Sequence, residues 1–193
     1  MISRRGIPVM LDLQPEGRTT QDCVDRGKAD SRTVRPLHPD DVELVRQFLS
    51  RLSTESAYRR YFTPCRPGDA ELRRFFGAGN GARDALVATA GEEVIALAEG
   101  AALENEPGVV EIAVVVADAW QGRGVGRQLV WMLAHRAAAR GAVTIKAETL
   151  ADNACMARLL RRLWPDARPR LDGPLRTWHL PVGSTPQRLP AAA

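Results

Sequence analysis

Hydrophobic positions change their period several times along the chain, and each change marks an element. T-V-R-P-L (Thr33–Leu37) reads as a short strand. H-P-D-D (His38–Asp41) then caps a helix whose Val42, Leu44, Val45, Phe48 and Leu49 fall on one side. S-T-E-S-A-Y-R-R-Y-F predicts a second helix from Ser53 or Thr54, and Asp69–Phe76 a short third. Beyond a G-N-G-A-R turn (Gly79–Arg83) lie three apolar runs, Asp84–Ala90, Val94–Ala101 and Gly108–Val116, separated by G-E-E and N-E-P. Strands so closely spaced predict an antiparallel meander. A glycine-rich stretch next opens a helix on which Leu129, Met132, Leu133 and Ala137 share a side, with Gly141 as its C′ residue. A strand (Val143–Glu148), a helix (Asn153–Leu163) and two short strands (Ala167–Leu171, Leu175–Leu180) complete the order. That order predicts an α+β fold: a mostly antiparallel central sheet with one parallel strand–helix–strand crossover and flanking helices.

Residues 1–31 show no sustained period and are expected to be a flexible leader; 182–193 are expected to be a flexible tail. Residues 32–181 are then one domain, a size that buries a real core. The longest apolar runs, such as Ile112–Ala117, are too short to span a bilayer, so a cytoplasmic protein with no membrane partner is expected. Cys23, Cys65 and Cys155 are odd in number and without a C-x-x-C pair; His38, His135 and His179 are equally scattered. Neither set offers a disulfide framework or a metal site. The net charge is +4, and only Lys28 and Lys146 are lysines. After Ala157 seven arginines stand against Asp166 and Asp172, with Trp164 and Trp178 the only tryptophans among them and no tyrosine or phenylalanine, so the face is read as solvated and no nucleic-acid partner is expected.

W-Q-G-R-G-V-G-R-Q-L (Trp120–Leu129) carries the chemistry. Three glycines between an apolar strand and a helix let backbone N–H groups approach an anion at the helix N-terminus. A dinucleotide fingerprint counted from Gly122 needs a glycine where Arg127 stands, and a P-loop needs a G-K-[S/T] that is absent. Gln121-Gly122-Arg123-Gly124-Val125-Gly126 instead resembles the Q/R-x-x-G-x-G/A signature of the GNAT superfamily of N-acyltransferases. A-D-N-A-C-M-A-R-L-L-R-R-L-W resembles that family's next segment. R-P-L-H-P-D-D and L-S-T-E-S-A-Y-R-R-Y-F resemble the opening of bacterial Pat-type protein lysine acetyltransferases.

The resemblance implies acetyl-CoA as acyl donor, its pyrophosphate on the turn and helix start from Gln121 to Arg127. It implies pantetheine contacts from Asn153 and from the main chain of Val114, Val115 and Val116. The acceptor implied is a primary amine, foremost a protein lysine; a small-molecule amine, or binding of acyl-CoA without catalysis, stays open, as does monomer or homodimer. A lysine of pKa about 10.4 is neutral only about once in 2,500 at pH 7, so a general base is valuable. Strand alternation sets Glu111 with Ala113 and Val115, opposite Val110, Ile112, Val114 and Val116, and Glu111 is a charge inside an otherwise apolar strand. Read alone it is a solvent-facing or ion-paired carboxylate or a base; the resemblance implies the base, with Glu148, or a water, as the other candidates. Many GNAT enzymes carry a tyrosine acid where Leu160 stands here. Tyr58 and Tyr61 are read mainly as helix packing with an acceptor-side role open.

Overall fold

The structure, a computed structural model, describes residues 32–63, 68–76, 83–186 and 188–189. The expected leader, most of the Gly79–Arg83 turn and the last residues of the chain lie outside the described residues. Strands β1 (Arg32–Pro36), β2 (Arg83–Ala90), β3 (Glu93–Ala102), β4 (Val109–Val116), β5 (Thr144–Leu150), β6 (Arg170–Asp172) and β7 (Leu175–Pro181) form one sheet in the order β1-β2-β3-β4-β5-β7-β6. Helices α1 (Val42–Arg51), α2 (Thr54–Tyr61) and α3 (Asp69–Phe76) precede β2, α4 (Val125–Ala139) joins β4 to β5, and α5 (Ala154–Leu163) follows β5. The β4–β5 pair is parallel and the other described pairs are antiparallel, because a fifteen-residue helix carries the chain back to the start of the sheet between these two strands only.

The two faces of the sheet build two cores. On one, Leu129, Leu133 and Ala134 of α4 and Leu160 and Leu163 of α5 pack on Leu86, Ile112, Ile145 and Trp178. On the other, Val45, Phe48 and Leu49 of α1, Ala57 of α2 and Leu72 of α3 cover Val87, Leu97 and Val115. β3 feeds both, so its residues from Val94 to Gly100 are buried without a polar alternation. Truncating any of the fully buried leucines to alanine costs about 2–5 kcal/mol.

The cap expected at H-P-D-D works through its last residue. Asp41 accepts from the His38 backbone N–H (2.7 Å) and receives both Arg35 guanidinium nitrogens (2.6 and 2.7 Å), which locks β1 to the start of α1. The Arg35 hydrogen bond holds the Asp41 carboxyl below the usual carboxylate range, against the opposing effect of burial.

Three boundaries move. β6 covers Arg170–Asp172 rather than Ala167–Leu171, because Trp164 to Ala167 closes a turn (Ala167 N–H to Trp164 O, 3.1 Å) and Pro169 has no N–H for a ladder. β5 runs on to Leu150, held by its pairing with β7 down to Leu175. Beyond Pro181 the chain does not leave the fold at once: Val182–Ser184 forms a 3₁₀ turn, Thr185 is buried, and Trp131 of α4 donates to the Pro186 carbonyl at 2.7 Å. No described helix is long and apolar enough to cross a membrane.

Candidate active site

β4 and β5 stay paired for three residues only. The register runs Val109–Thr144, Val110–Ile145 and Glu111–Lys146, after which the strands part. β4 remains zipped to β3 as far as Val116, so from Ala113 onward one of its edges is open. Which amides face that edge follows from one bond: the Ala117 N–H donates to Ile95 of β3 (2.8 Å), and successive residues of a strand alternate. Val115 and Ala113 therefore turn their N–H groups to β3. Val114 and Val116 turn theirs to the gap. Their side chains pack beneath, against the α4 core, so the main chain and the side chain of each do separate work. Val115, grouped with them from sequence, contributes no amide to the gap; its side chain is buried against the helices on the far face.

The gap opens into a cleft of about 1040 Å³ lined by β4, β5, the glycine turn, α5 and the end of α2. At the turn Gly122 and Gly124 have φ of 73° and 80°, values that side chains other than glycine's strain to reach. Gly124 is the N-cap of α4 without a side-chain cap, and the first helical bond comes only at Gln128. None of the five amides from Gly122 to Gly126 donates to a described group. An anion is the partner such a run of donors at a helix N-terminus fits. Gly126 keeps the approach narrow: a Cβ there would stand 3.4 Å from both Leu159 Cδ1 and Val116 Cγ2.

The remaining sequence candidates divide. Arg127 is buried and lines the cleft. Arg123 does not: its guanidinium lies 5.1 Å from the Trp120 ring centre and its carbonyl accepts from Arg32. Gln121 is exposed and lines the cleft; its own N–H is taken by Asp118 O (3.2 Å), and its Nε2 donates to Ser56 Oγ (2.9 Å) and the Val116 carbonyl (3.1 Å). Asn153 caps α5, its Oδ1 accepting from Met156 N–H at 3.0 Å, and its Nδ2 donates to no described group. Val125 lines the cleft with its side chain buried.

Glu111 stands where the strands part. It shares a face with Ala113 and Val115, lines the cleft, is half-buried, and makes no hydrogen bond or ion pair to a described residue. Glu148 also lines the cleft, within 4.0 Å of Lys146, which in turn reaches Glu106 at 3.3 Å. Of the two carboxylates Glu148 is the one with a described cation at ion-pair distance, although Lys146 is also the register partner of Glu111. Leu160 is fully buried in the core, so no proton donor occupies its place. Tyr61 lines the cleft and also packs on the second core, whereas Tyr58 is 43% exposed outside it.

Two features escaped the sequence reading. Arg60 of α2, nearly buried, is ion-paired with Glu99 of β3, itself 6% exposed. Asp118, just past β4, gathers three bonds from α2: Ser53 N–H (3.2 Å), Ser53 Oγ (2.7 Å) and Ser56 Oγ (2.9 Å). Partial burial pushes the Asp118 carboxyl up, and the serine bonds more than offset it, leaving it below the ordinary value. The available signals were a charge inside an apolar strand, for Glu99, and an S-x-x-S cap, for Ser53 and Ser56.

Compared with known families, residues 49–163 match the model of the Acetyltransferase (GNAT) family. The chain belongs to the GNAT family. Membership makes the domain an N-acetyltransferase with acetyl-CoA as donor at the level of the family. A curated relative, acetyltransferase Pat of Mycolicibacterium smegmatis, is 32% identical over 132 residues, 67% of this chain and 40% of the relative. The chain thus spans less than half of that protein. The crystal structure of the GNAT domain of S. lividans PAT superposes with a TM-score of 0.70 at 28% identity, covering 77% of this chain and 89% of the other. A Salmonella typhimurium protein, yncA, solved with acetyl-CoA, superposes at 0.64 with 20% identity over 85% of this chain and all of its own; that likeness is one of fold.

The residues present fit the donor a GNAT domain takes. The open amides of Gly122–Gly126 suit a diphosphate, and the N–H groups of Val114 and Val116 suit the carbonyls of an extended amide arm laid along β4.

Proposed function

We propose that this domain transfers an acetyl group from acetyl-CoA directly to a primary amine, with a protein lysine as the first-choice acceptor and Glu111 as the general base. The observation that carries the reading is a juxtaposition: a carboxylate without a described partner lies on the helix-covered face of β4 at the point where β4 and β5 separate, beside amides open to the gap. The likeness to acetyltransferase Pat supports a protein acceptor.

The chain's own groups then divide the work. The turn amides and the α4 N-terminus hold negative charge; Val114 and Val116 N–H orient an acyl carbonyl and stabilise the oxyanion as it forms. Glu111, directly or through a water, takes a proton from the amine, whose neutral fraction at pH 7 leaves a deficit of about 4–5 kcal/mol. The departing thiolate, with a pKa near 8.5, leaves without a dedicated acid, in keeping with Leu160 at the position where many GNAT enzymes carry tyrosine.

An acceptor screen with detection of released thiol tests the reading. Turnover with lysine peptides supports it; turnover with small amines alone moves the acceptor to small molecules; binding of CoA without turnover on any amine would leave only the donor half.

A further inference from the structure

The cleft has a donor side, the glycine turn, and an acceptor side, the end of α2 with Arg59, Arg60, Tyr61 and Phe62. From the first residue of the turn a connected set of hydrogen bonds runs to the start of α2. Gln121 Nε2 donates to the Val116 carbonyl (3.1 Å) and to Ser56 Oγ (2.9 Å). Ser56 and Ser53 donate in turn to the Asp118 carboxylate, and Ser53 Oγ caps α2 by accepting from Ser56 N–H at 3.1 Å. Resting on the proposed function, we infer that Gln121 and Asp118 are positioning residues for the acceptor side: they transmit occupancy of the donor turn to helix α2.

Three features support the link. First, Gln121 is the residue where the turn begins, and although its side chain is exposed, its backbone N–H and its Nε2 are both taken by protein acceptors. Second, it holds the Val116 carbonyl, which lies on the edge of β4 that lost its partner strand, so the same side chain braces the donor-side strand and the acceptor-side helix. Third, α2 is an eight-residue helix of low intrinsic stability held at its start by Asp118 and near its end by the Arg60–Glu99 pair. It finishes at Phe62, whose φ of 56° is a left-handed conformation costing a bulky residue about 1–2 kcal/mol. A helix so short, with backbone strain at its end, depends on its anchors. When an anion fills the open amides and fixes the turn, the anchor at Gln121 loses freedom, and α2 is ordered without a change of fold. By linkage, an acceptor docked against α2 then tightens the donor by the same factor.

Hydrogen–deuterium exchange over Thr54–Phe62, with and without CoA, reads this out, alongside titration calorimetry for CoA affinity. In the native protein saturating CoA slows exchange across α2. In Gln121→Ala and, as a milder break, Ser56→Ala, CoA binds within about twofold of the native affinity while the CoA-dependent slowing of α2 falls by at least half. Exchange in α2 that ignores CoA in the native protein overturns the link, as does a Gln121→Ala variant that keeps the full response. A loss of CoA affinity above tenfold in Gln121→Ala makes Gln121 part of the donor grip and also overturns it. If the native protein binds no CoA, the proposed function falls, and the inference with it.

Discussion

Replacing Glu111 by glutamine removes one thing only, a proton acceptor. The side chain is half-buried and unpaired among the described residues, so no orphaned partner is left behind and stability should change by no more than about 0.5 kcal/mol. The rate should not be so lightly affected. With the base in place the abundant ammonium form of the acceptor is usable, because its proton is removed within the site. Without it, only the pre-formed neutral amine reacts, about one molecule in 2,500 at pH 7. General-base contributions of about 10²–10⁴ bracket the expected loss, and a thousandfold lies in the middle. The pH dependence is the sharper signature: the neutral fraction rises about tenfold per pH unit, so the ratio of native to variant kcat/KM should shrink from about a thousand at pH 7 to about ten at pH 9. Thiol release from acetyl-CoA with a lysine peptide measures both. A variant with unchanged turnover at pH 7, or a loss that stays constant from pH 7 to 9, refutes Glu111 as the base.

Further predictions concern the frame and the donor side. Asp41→Asn should cost about 1.5–3 kcal/mol in denaturant unfolding, since it breaks the Arg35 pair and the cap on His38 N–H. The folded-state pKa of Asp41 lies below its unfolded value, so its contribution is present above about pH 4 and lost as pH falls through the folded pKa; an identical acid slope in native protein and variant would contradict that. Asn153→Ala should lower stability by about 1 kcal/mol through the lost α5 cap and also weaken acetyl-CoA binding; loss of stability with untouched affinity would confine Asn153 to capping. Gly126→Val inserts methyl groups where even a Cβ stands 3.4 Å from Leu159 and Val116; it should fold at a cost of about 1–3 kcal/mol and bind CoA at least tenfold more weakly by calorimetry, and undiminished affinity counts against a close backbone approach there.

The fold was legible because its elements announce themselves by period: helical spacing in α1 and α4, apolar runs in β2 to β4, and one helix inserted between strands to force the parallel pair. The glycine turn was legible for a related reason, since three glycines in five residues mark backbone that other residues strain to follow, and Gly122 and Gly124 do have φ of 73° and 80°. What stayed hidden depends on contacts between distant residues. Glu99 and Glu111 are both charges inside apolar strands, yet one is buried against Arg60 of α2 and the other lines the cleft; only the register, which sets Glu99 beside Ala113 and Arg60 above it, separates them. Gln121 read as part of a ligand motif because its side-chain partner, Ser56, lies 65 residues away. Val115 was grouped with Val114 and Val116 by the resemblance alone; side-chain alternation sets it on the other face, and the direction of its amide needed the Ala117–Ile95 bond.

Calorimetric titration of the native protein with CoA, 3′-dephospho-CoA and pantetheine tests most directly whether the amides from Gly122 to Gly126 hold a diphosphate. Two charge-assisted bonds from that turn at about 1.5 kcal/mol each amount to about 150-fold in affinity. The first two ligands, which keep the diphosphate, should therefore bind within about tenfold of each other, and pantetheine at least a hundredfold more weakly. Pantetheine binding within tenfold of CoA would contradict the account.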